Sequence, residues 1–379
     1  MTTDKLPQEQ IDHILNLFKS DQTQQALDFI DTLSKDYPDE SLLFNIRGAC
    51  YAGLGQLDIA VQSYKKALSI KPDYAKAHYN LGGALQELDK LHDSAKSYEN
   101  AIALEPENAQ AHNNLAIVLR ELDQLEEAEA SCRKAIVLDP EYAEAHSCLS
   151  IILYANGDLN SALESIKKAY SINPKLKIIK LLLAVLKARK THKTSKVSIS
   201  NIRSISNPLI LNRAVEQELI ANLYEMKSLE LEKTEDPSYG NARGSGYQLF
   251  QDDHSSIIKT VEEDLVRILR EAIKADIHVK DSFFTILGAG GGVNRHNHIS
   301  ALDIDSSLNL INQKFSLVYY LSVGDQDCTE PGILKLYDPS ENILPREGMI
   351  IIFPADRHHS VVYNGKKDRI IIGINFYSL

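Results

Sequence analysis

Cysteine is scarce in this sequence, and no two cysteines lie close together. Cys50, Cys132, Cys148 and Cys328 form no CxxC pair, which speaks against a disulfide framework or a zinc knuckle and fits a reducing compartment. Long apolar runs are also missing: no stretch approaches the roughly 20 residues needed to span a bilayer. The opening MTTDKLPQEQ has no basic start followed by an apolar core, so secretion is not expected. Positive charge is short too. A net charge of −11 argues against nucleic acid or an anionic membrane as partner, because both call for a basic surface. These absences leave the expectation of a cytoplasmic protein. At 379 residues two domains are the natural reading, and 44% hydrophobic residues can bury a sizeable core.

What is present first is a repeat. Pro38, Pro72, Pro106, Pro140 and Pro174 recur every 34 residues. Small residues keep the same phase at Gly48, Ala60 and Ala67, at Gly82, Ser94 and Ala101, at Ala116, Ala128 and Ala135, and at Ser150, Ala162 and Ala169. Small side chains at these places let two antiparallel helices approach closely while larger ones fill the gaps. Proline closes the second helix, since it has no amide hydrogen and disfavours helix in the residue before it. The period and pattern are similar to the tetratricopeptide-repeat (TPR) unit. Units are expected at 7–40, 41–74, 75–108, 109–142 and 143–176, the first a degenerate cap with Ile14 in place of a small residue. The run KLKIIKLLLAVLKARK continues as a helix covering the last repeat, so the solenoid spans 7–190.

His78, His112 and His146 also recur every 34 residues. A packing role is expected, because the same-phase residue of the preceding unit is Phe44. Two positions after the first two histidines stand Asn80 and Asn114. The run AHYNLGGAL resembles repeats of the O-GlcNAc transferase superhelix, whose asparagines hold the backbone of an extended polypeptide. An amide suits that task because it both donates and accepts. The resemblance implies a polypeptide in the groove, with two rungs only, since Ile46 and Cys148 fill the flanking positions.

Residues 191–208 are polar and serine-rich and read as a linker. A helix is expected near Val215–Leu229, and another over Ser256–Lys274 with its apolar stripe at Ile257, Val261, Leu265, Ile268 and Leu269. Beyond Ile277 come short β-branched and aromatic runs, SFFTILGAG, KFSLVYYLSV, GILKLYDP, GMIIIFPA, HSVVYN and RIIIGINFYSL, separated by Gly, Pro, Asp and Asn. Such spacing predicts an antiparallel sandwich or open barrel behind the helices, making 209–379 an α+β domain. The glycines of LGAGGGVN follow a strand but precede no helix, which favours close backbone packing or a mobile lip over a phosphate loop.

Histidines concentrate in this β-region. His296 and His298, at i and i+2 of an extended segment, point to one side and can face one metal. His358 and His359 are adjacent, so only one of them faces inward. Arg369 follows on the next strand.

These residues resemble the 2-oxoglutarate- and Fe(II)-dependent oxygenases related to the prolyl 4-hydroxylases, over Ser282–Leu379. In that family an early His-x-Asp and a late His bind iron from opposite edges of a double-stranded β-helix, or jelly roll. An Arg or Lys about ten residues past the late His grips the distal carboxylate of 2-oxoglutarate. The resemblance implies Fe(2+) held by His296, His298 and His359, with His358 a neighbour. It also implies 2-oxoglutarate anchored by Arg369, aided by Tyr319 or Tyr320, of which alternation turns only one inward. The sequence departs from the family in one place: His298 stands where aspartate is usual, leaving Asp303 or Asp305 as the alternative ligand. The implied activity couples decarboxylation of 2-oxoglutarate to succinate with hydroxylation of an unactivated C–H bond, the repeats recruiting a polypeptide substrate. The alternatives are a non-catalytic TPR adaptor with a degenerate jelly roll, and a three-histidine dioxygenase working without 2-oxoglutarate.

Overall fold

The computed structural model describes residues 6–20, 22–194, 207–231, 237–246, 248–250, 255–300, 303–304, 308 and 310–379. Two units emerge, Met1–Ile179 and Lys180–Leu379.

The first unit is helical throughout its described residues. Helices pair as α1 (Gln8–Lys19) with α2 (Thr23–Asp36), α3 (Ser41–Gly53) with α4 (Leu57–Ile70) and α5 (Ala75–Glu87) with α6 (Leu91–Leu104). Then follow α7 (Ala109–Glu121) with α8 (Leu125–Leu138), and α9 (Ala143–Ala155) with α10 (Leu159–Ile172). The expected phase of the small residues has a direct cause. A β-carbon on Gly48 would lie 2.5 Å from the Tyr64 ring, and one on Gly82 would lie 2.9 Å from that of Tyr98. The turn inside the last four pairs also repeats: Gly55, Asp89, Asp123 and Gly157 all take positive φ, at 71°, 57°, 61° and 84°. Glycine enters that region freely, and aspartate is among the side chains that tolerate it.

Helix α11 (Lys177–Thr194) straddles the division between the units. The boundary expected at 190 therefore moves back to Ile179, and the helix runs on into the segment that composition marks as linker. Arg189 donates to the Leu308 carbonyl at 3.3 Å, which ties this length of helix to the second unit. The rest of the expected linker, 195–206, lies outside the described residues.

In the second unit β1 (Leu209–Asn212), α12 (Gln217–Glu225), β2 (Leu229–Glu230), β3 (Ser238–Tyr239), β4 (Ala242–Gly244) and α13 (Ser256–Ile273) precede the main strands. These are β5 (Ile277–Leu287), β6 (Gly292–His296), β7 (Lys314–Val323), β8 (Pro331–Leu336), β9 (Glu341–Ile343), β10 (Met349–Pro354), β11 (His359–Tyr363) and β12 (Arg369–Ser378). Helix α12 stops short of its expected end because Leu229 pairs with Gly244 in the β2–β4 ladder. The strands form two antiparallel sheets, one in the order β1-β10-β7-β12-β5-β4-β2 and the other β3-β6-β11-β8-β9.

Period-two alternation gives the larger sheet two apolar faces. One face turns Phe315, Leu317, Ile350, Ile352, Ile370 and Ile372 onto Leu219 and Leu223 of α12 and onto Val261, Leu265 and Leu269 of α13. The expected stripe of α13 is confirmed there, with Ile257 and Ile268 half-buried at its margins. The opposite face carries Leu287, Tyr320 and Ile351 against Leu334, Leu336, Val361 and Tyr363 of the smaller sheet. The candidate site lies between these sheets. The glycine run packs closely, as expected: Gly290 donates its N–H to the Tyr363 carbonyl at 3.1 Å, and a β-carbon on Gly240 would collide with the Gly290 carbonyl. No helix among the described residues is long and apolar enough to cross a membrane.

Candidate metal centre

His296 ends β6 and His359 begins β11, and the antiparallel register sets them directly opposite each other. Side chains of such a pair are close neighbours on one face. Their ring centroids are 4.2 Å apart. His298, two residues on, brings its ring centroid to 4.8 Å from His296 and 5.0 Å from His359. One ring nitrogen of each lies within 4.8 Å of the other two, so the trio offers three nitrogen donors to one cation.

Neighbouring carbonyls orient two of the rings. His296 Nδ1 is 2.8 Å from the Asn294 carbonyl, and His359 Nδ1 is 3.5 Å from that of Arg357. A carbonyl only accepts, so Nδ1 carries the hydrogen and Nε2 keeps its lone pair for a metal. His298 is held through its backbone instead. Its N–H donates to the Ala355 carbonyl at 2.9 Å, and its carbonyl accepts from the Lys314 ammonium. Burial, then the neighbouring imidazoles, hold both His298 and His359 below the usual histidine range, His359 down to about 3. Neutral rings are the form that ligates.

Asp303 is not free to replace His298. Its Oδ2 accepts from the Lys314 ammonium at 2.7 Å and from the Ser300 amide and hydroxyl at 2.6 Å each, while Oδ1 accepts from the Tyr377 hydroxyl at 2.6 Å. Burial pulls its pKa up, and these bonds outweigh burial, leaving it below the usual carboxylate range. Asp305 lies outside the described residues. His358 stays outside the trio, as expected of a neighbour.

The three histidines share a cleft of about 720 Å³, counted to its open mouth, with Tyr320, Arg369 and Asn375. Among the described residues, no aspartate or glutamate lines it. Arg369, 2% exposed, donates from Nη1 to the Gly332 carbonyl and stacks 5.0 Å from the Tyr320 ring centre. Among the described residues neither its Nε nor the Tyr320 hydroxyl has a hydrogen-bond partner of good geometry, although each favours the other's charged form. Burial lowers the Arg369 pKa and raises that of Tyr320. Of the two tyrosines expected near the anchor, Tyr319 must be set aside. Alternation turns it to the helix side, where its hydroxyl donates to the Ala214 carbonyl at 2.7 Å and accepts from Arg213 at 3.1 Å.

In the first unit the asparagine rungs are part of a ladder internal to the repeats. Asn80 Nδ2 donates to Asn45 Oδ1 at 3.0 Å, and Asn114 Nδ2 donates to the Tyr79 and Tyr98 hydroxyls at 3.1 and 3.4 Å. The histidine stripe is structural, as its phase suggests. His78, His112 and His146 each place Nε2 3.0–3.1 Å from the carbonyl of the proline six residues before, Pro72, Pro106 and Pro140.

Residues missed by sequence reasoning are Asn45, Ser316 and Asn375. The last could have been found by counting in twos along β12 from Arg369, which brings Asn375 to the same face.

Comparison with known proteins identifies the repeats. Residues 48–89 match the family model described as TPR repeat, and residues 79–143 match that described as tetratricopeptide repeat. The first unit is thus a TPR solenoid, followed by a β-rich region. Among curated proteins, a peroxisomal targeting signal receptor of Candida glabrata is 31% identical over 67 residues. That match covers 18% of this chain, and the chain spans 11% of the receptor's length. Similar solved structures include MamA of Desulfovibrio magneticus RS-1, at 21% identity, 45% of this chain, 96% of that one and TM-score 0.42. YrrB, described as a TPR protein with an unusual peptide-binding site, is 21% identical, covering 48% of this chain and 90% of its own with TM-score 0.42. PilF of Pseudomonas aeruginosa is 18% identical, covering 50% and 86%, with TM-score 0.45.

Proposed function

We propose that the second unit is a double-stranded β-helix (jelly-roll) oxygenase module that uses Fe(2+) and 2-oxoglutarate, and that the TPR solenoid brings it a polypeptide. One observation carries this reading: a buried guanidinium, whose Nε has no partner among the described residues, shares with three converging imidazoles a cleft to which those residues bring no carboxylate. Three neutral ligands and an arginine leave the cleft positive when a divalent metal is bound, and a dianionic chelator offsets that charge.

His296, His298 and His359 would hold the metal. Arg369 would grip the distal carboxylate, with Tyr320 adding its hydroxyl. When bound, the iron and 2-oxoglutarate pair supplies oxidising power sufficient to hydroxylate an unactivated C–H bond. The chain keeps His298 and His359 neutral by burial, fixes the His296 and His359 tautomers through carbonyls, and walls off water with Leu287, Val318, Leu334 and Ile371. Replacing an anionic ligand by His298 raises the net charge at the metal by one, which strengthens the demand for an anionic co-substrate.

The matched repeats at 48–143 favour a second reading, a TPR adaptor whose β-rich unit has no catalytic part. Anaerobic Fe(2+) titration followed by 2-oxoglutarate separates the two. The oxygenase develops a visible charge-transfer band that Arg369→Ala loses. An adaptor shows no iron binding, or iron binding indifferent to 2-oxoglutarate in both proteins.

A further inference from the structure

His298 differs from its two partners in what faces its second nitrogen. Main-chain carbonyls meet Nδ1 of His296 and His359. Nδ1 of His298 faces a side chain, with Asn375 Nδ2 at 3.5 Å. That side chain is buried and braced: Asn375 is 4% exposed and Ser316 2%, they are register partners on β12 and β7, and Ser316 Oγ donates to Asn375 Oδ1 at 2.8 Å.

A carboxamide can present either end to an imidazole. With its nitrogen there, Nδ1 of His298 accepts, so the neutral ring carries its hydrogen on Nε2. With its oxygen there, Nδ1 donates, and Nε2 bears the lone pair that a metal takes. The Ser316 hydroxyl both donates and accepts, so it partners the amide in either orientation. The Lys314 ammonium and the Ala355 carbonyl hold the backbone of His298, and among the described residues Asn375 is the side chain that meets its Nδ1.

We propose that Asn375, braced by Ser316, is the positioning residue for His298: with its amide turned over, so that Oδ1 rather than Nδ2 meets the ring, it fixes the Nδ1–H tautomer that leaves the Nε2 lone pair for the metal. This rests on the three-histidine reading above. It makes Asn375 the counterpart, on a side chain, of the Asn294 and Arg357 carbonyls.

Zn(2+), which is diamagnetic and redox-inert, serves as probe. Calorimetry gives the affinity of the full chain, and long-range 1H–15N correlation reports which His298 nitrogen carries hydrogen. With Zn(2+) bound, wild type should show His298 protonated at Nδ1. Asn375→Leu should weaken Zn(2+) binding about 10- to 100-fold, the range for loss of an outer hydrogen bond to a ligand. Asn375→Asp, an acceptor only, should restore both affinity and tautomer. Should Asn375→Leu misfold, the wild-type tautomer and the Asp variant still decide. Leu binding within twofold of wild type, or His298 protonated at Nε2 with Zn(2+) bound, overturns the role of Asn375. Failure of wild type to bind Zn(2+) overturns the metal centre itself.

Discussion

Arg369 fills the space that Gly332 leaves open: its Nη1 bonds the Gly332 carbonyl, and a β-carbon on that glycine would collide with the guanidinium. Gly332 also takes φ of 77°, a conformation that L side chains rarely adopt. The anchor is therefore shaped by a residue without a side chain on another strand. Gly332→Ala should shift Arg369 and weaken 2-oxoglutarate binding at least tenfold with Arg369 still present. Calorimetry on the metal-loaded protein tests this, and unchanged affinity would show that the contact only packs.

Removing the guanidinium should have the opposite signs for stability and binding. A buried donor without a partner costs about 1–3 kcal/mol. Arg369→Met should accordingly raise ligand-free stability by ~1 kcal/mol, less than that full cost because the Gly332 bond is also lost. It should also abolish the stabilisation that 2-oxoglutarate gives wild type. Urea unfolding with and without the ligand measures both, and a destabilised variant would mean that Arg369 already has its partner.

Acid should destabilise the metal-free protein from just below neutral pH. His298 and His359 are depressed when folded, His359 to about 3, and return to the usual value near 6.5 when unfolded. Between those values the unfolded chain binds more protons, so stability falls as pH falls, by up to about 1.4 kcal/mol per pH unit for each ring. Urea midpoints at pH 7 and 5 should differ in wild type, and the difference should shrink in His359→Gln. Equal slopes in the two proteins would exclude His359 as a contributor.

Asp303 and Lys314 form a buried pair whose two members are at most 1% exposed. Breaking such a pair from one side costs about 3–5 kcal/mol. Asp303→Asn should lose stability on that scale, and Asp303→Asn combined with Lys314→Met should lose less than Asp303→Asn alone. A double variant no better than the single one would show that the Ser300 and Tyr377 bonds matter more than the charge.

His78→Ala, His112→Ala and His146→Ala should resemble one another, because each removes one bond to a proline carbonyl. A loss of about 0.5–1.5 kcal/mol apiece is expected in chemical unfolding. Unequal losses would mean that the neighbours of each ring, not the shared bond, dominate.

The repeats were legible because one spacing recurs, and each recurrence has a local cause, such as Gly48 beneath Tyr64. The main strands were legible from β-branched runs, and the helix stripe of α13 from its 3.6-residue period. The short strands β2, β3 and β4 were not, since two or three residues carry no period and depend on the strand they meet. The convergence of His296 and His298 was legible from their i, i+2 spacing, whereas His359 and Arg369 were legible from the family resemblance and not from a local pattern. Asp303 looked like a spare ligand until its bonds to Lys314, Ser300 and Tyr377 were seen. Those partners lie up to 74 residues away in sequence, where no local pattern reaches. The two asparagine rungs looked available for a partner, and only contacts 35 residues apart place their amide nitrogens inside the solenoid.

Strand β12 presents Arg369, Ile371 and Asn375 to the cleft and Ile370, Ile372 and Phe376 to the helices. A register slip of one residue would exchange these two sets. It would bury a guanidinium among isoleucines and leave the cleft lined with hydrocarbon. Misaligned chains would therefore be unstable before they could be inactive, and the fold proofreads its own chemistry during assembly.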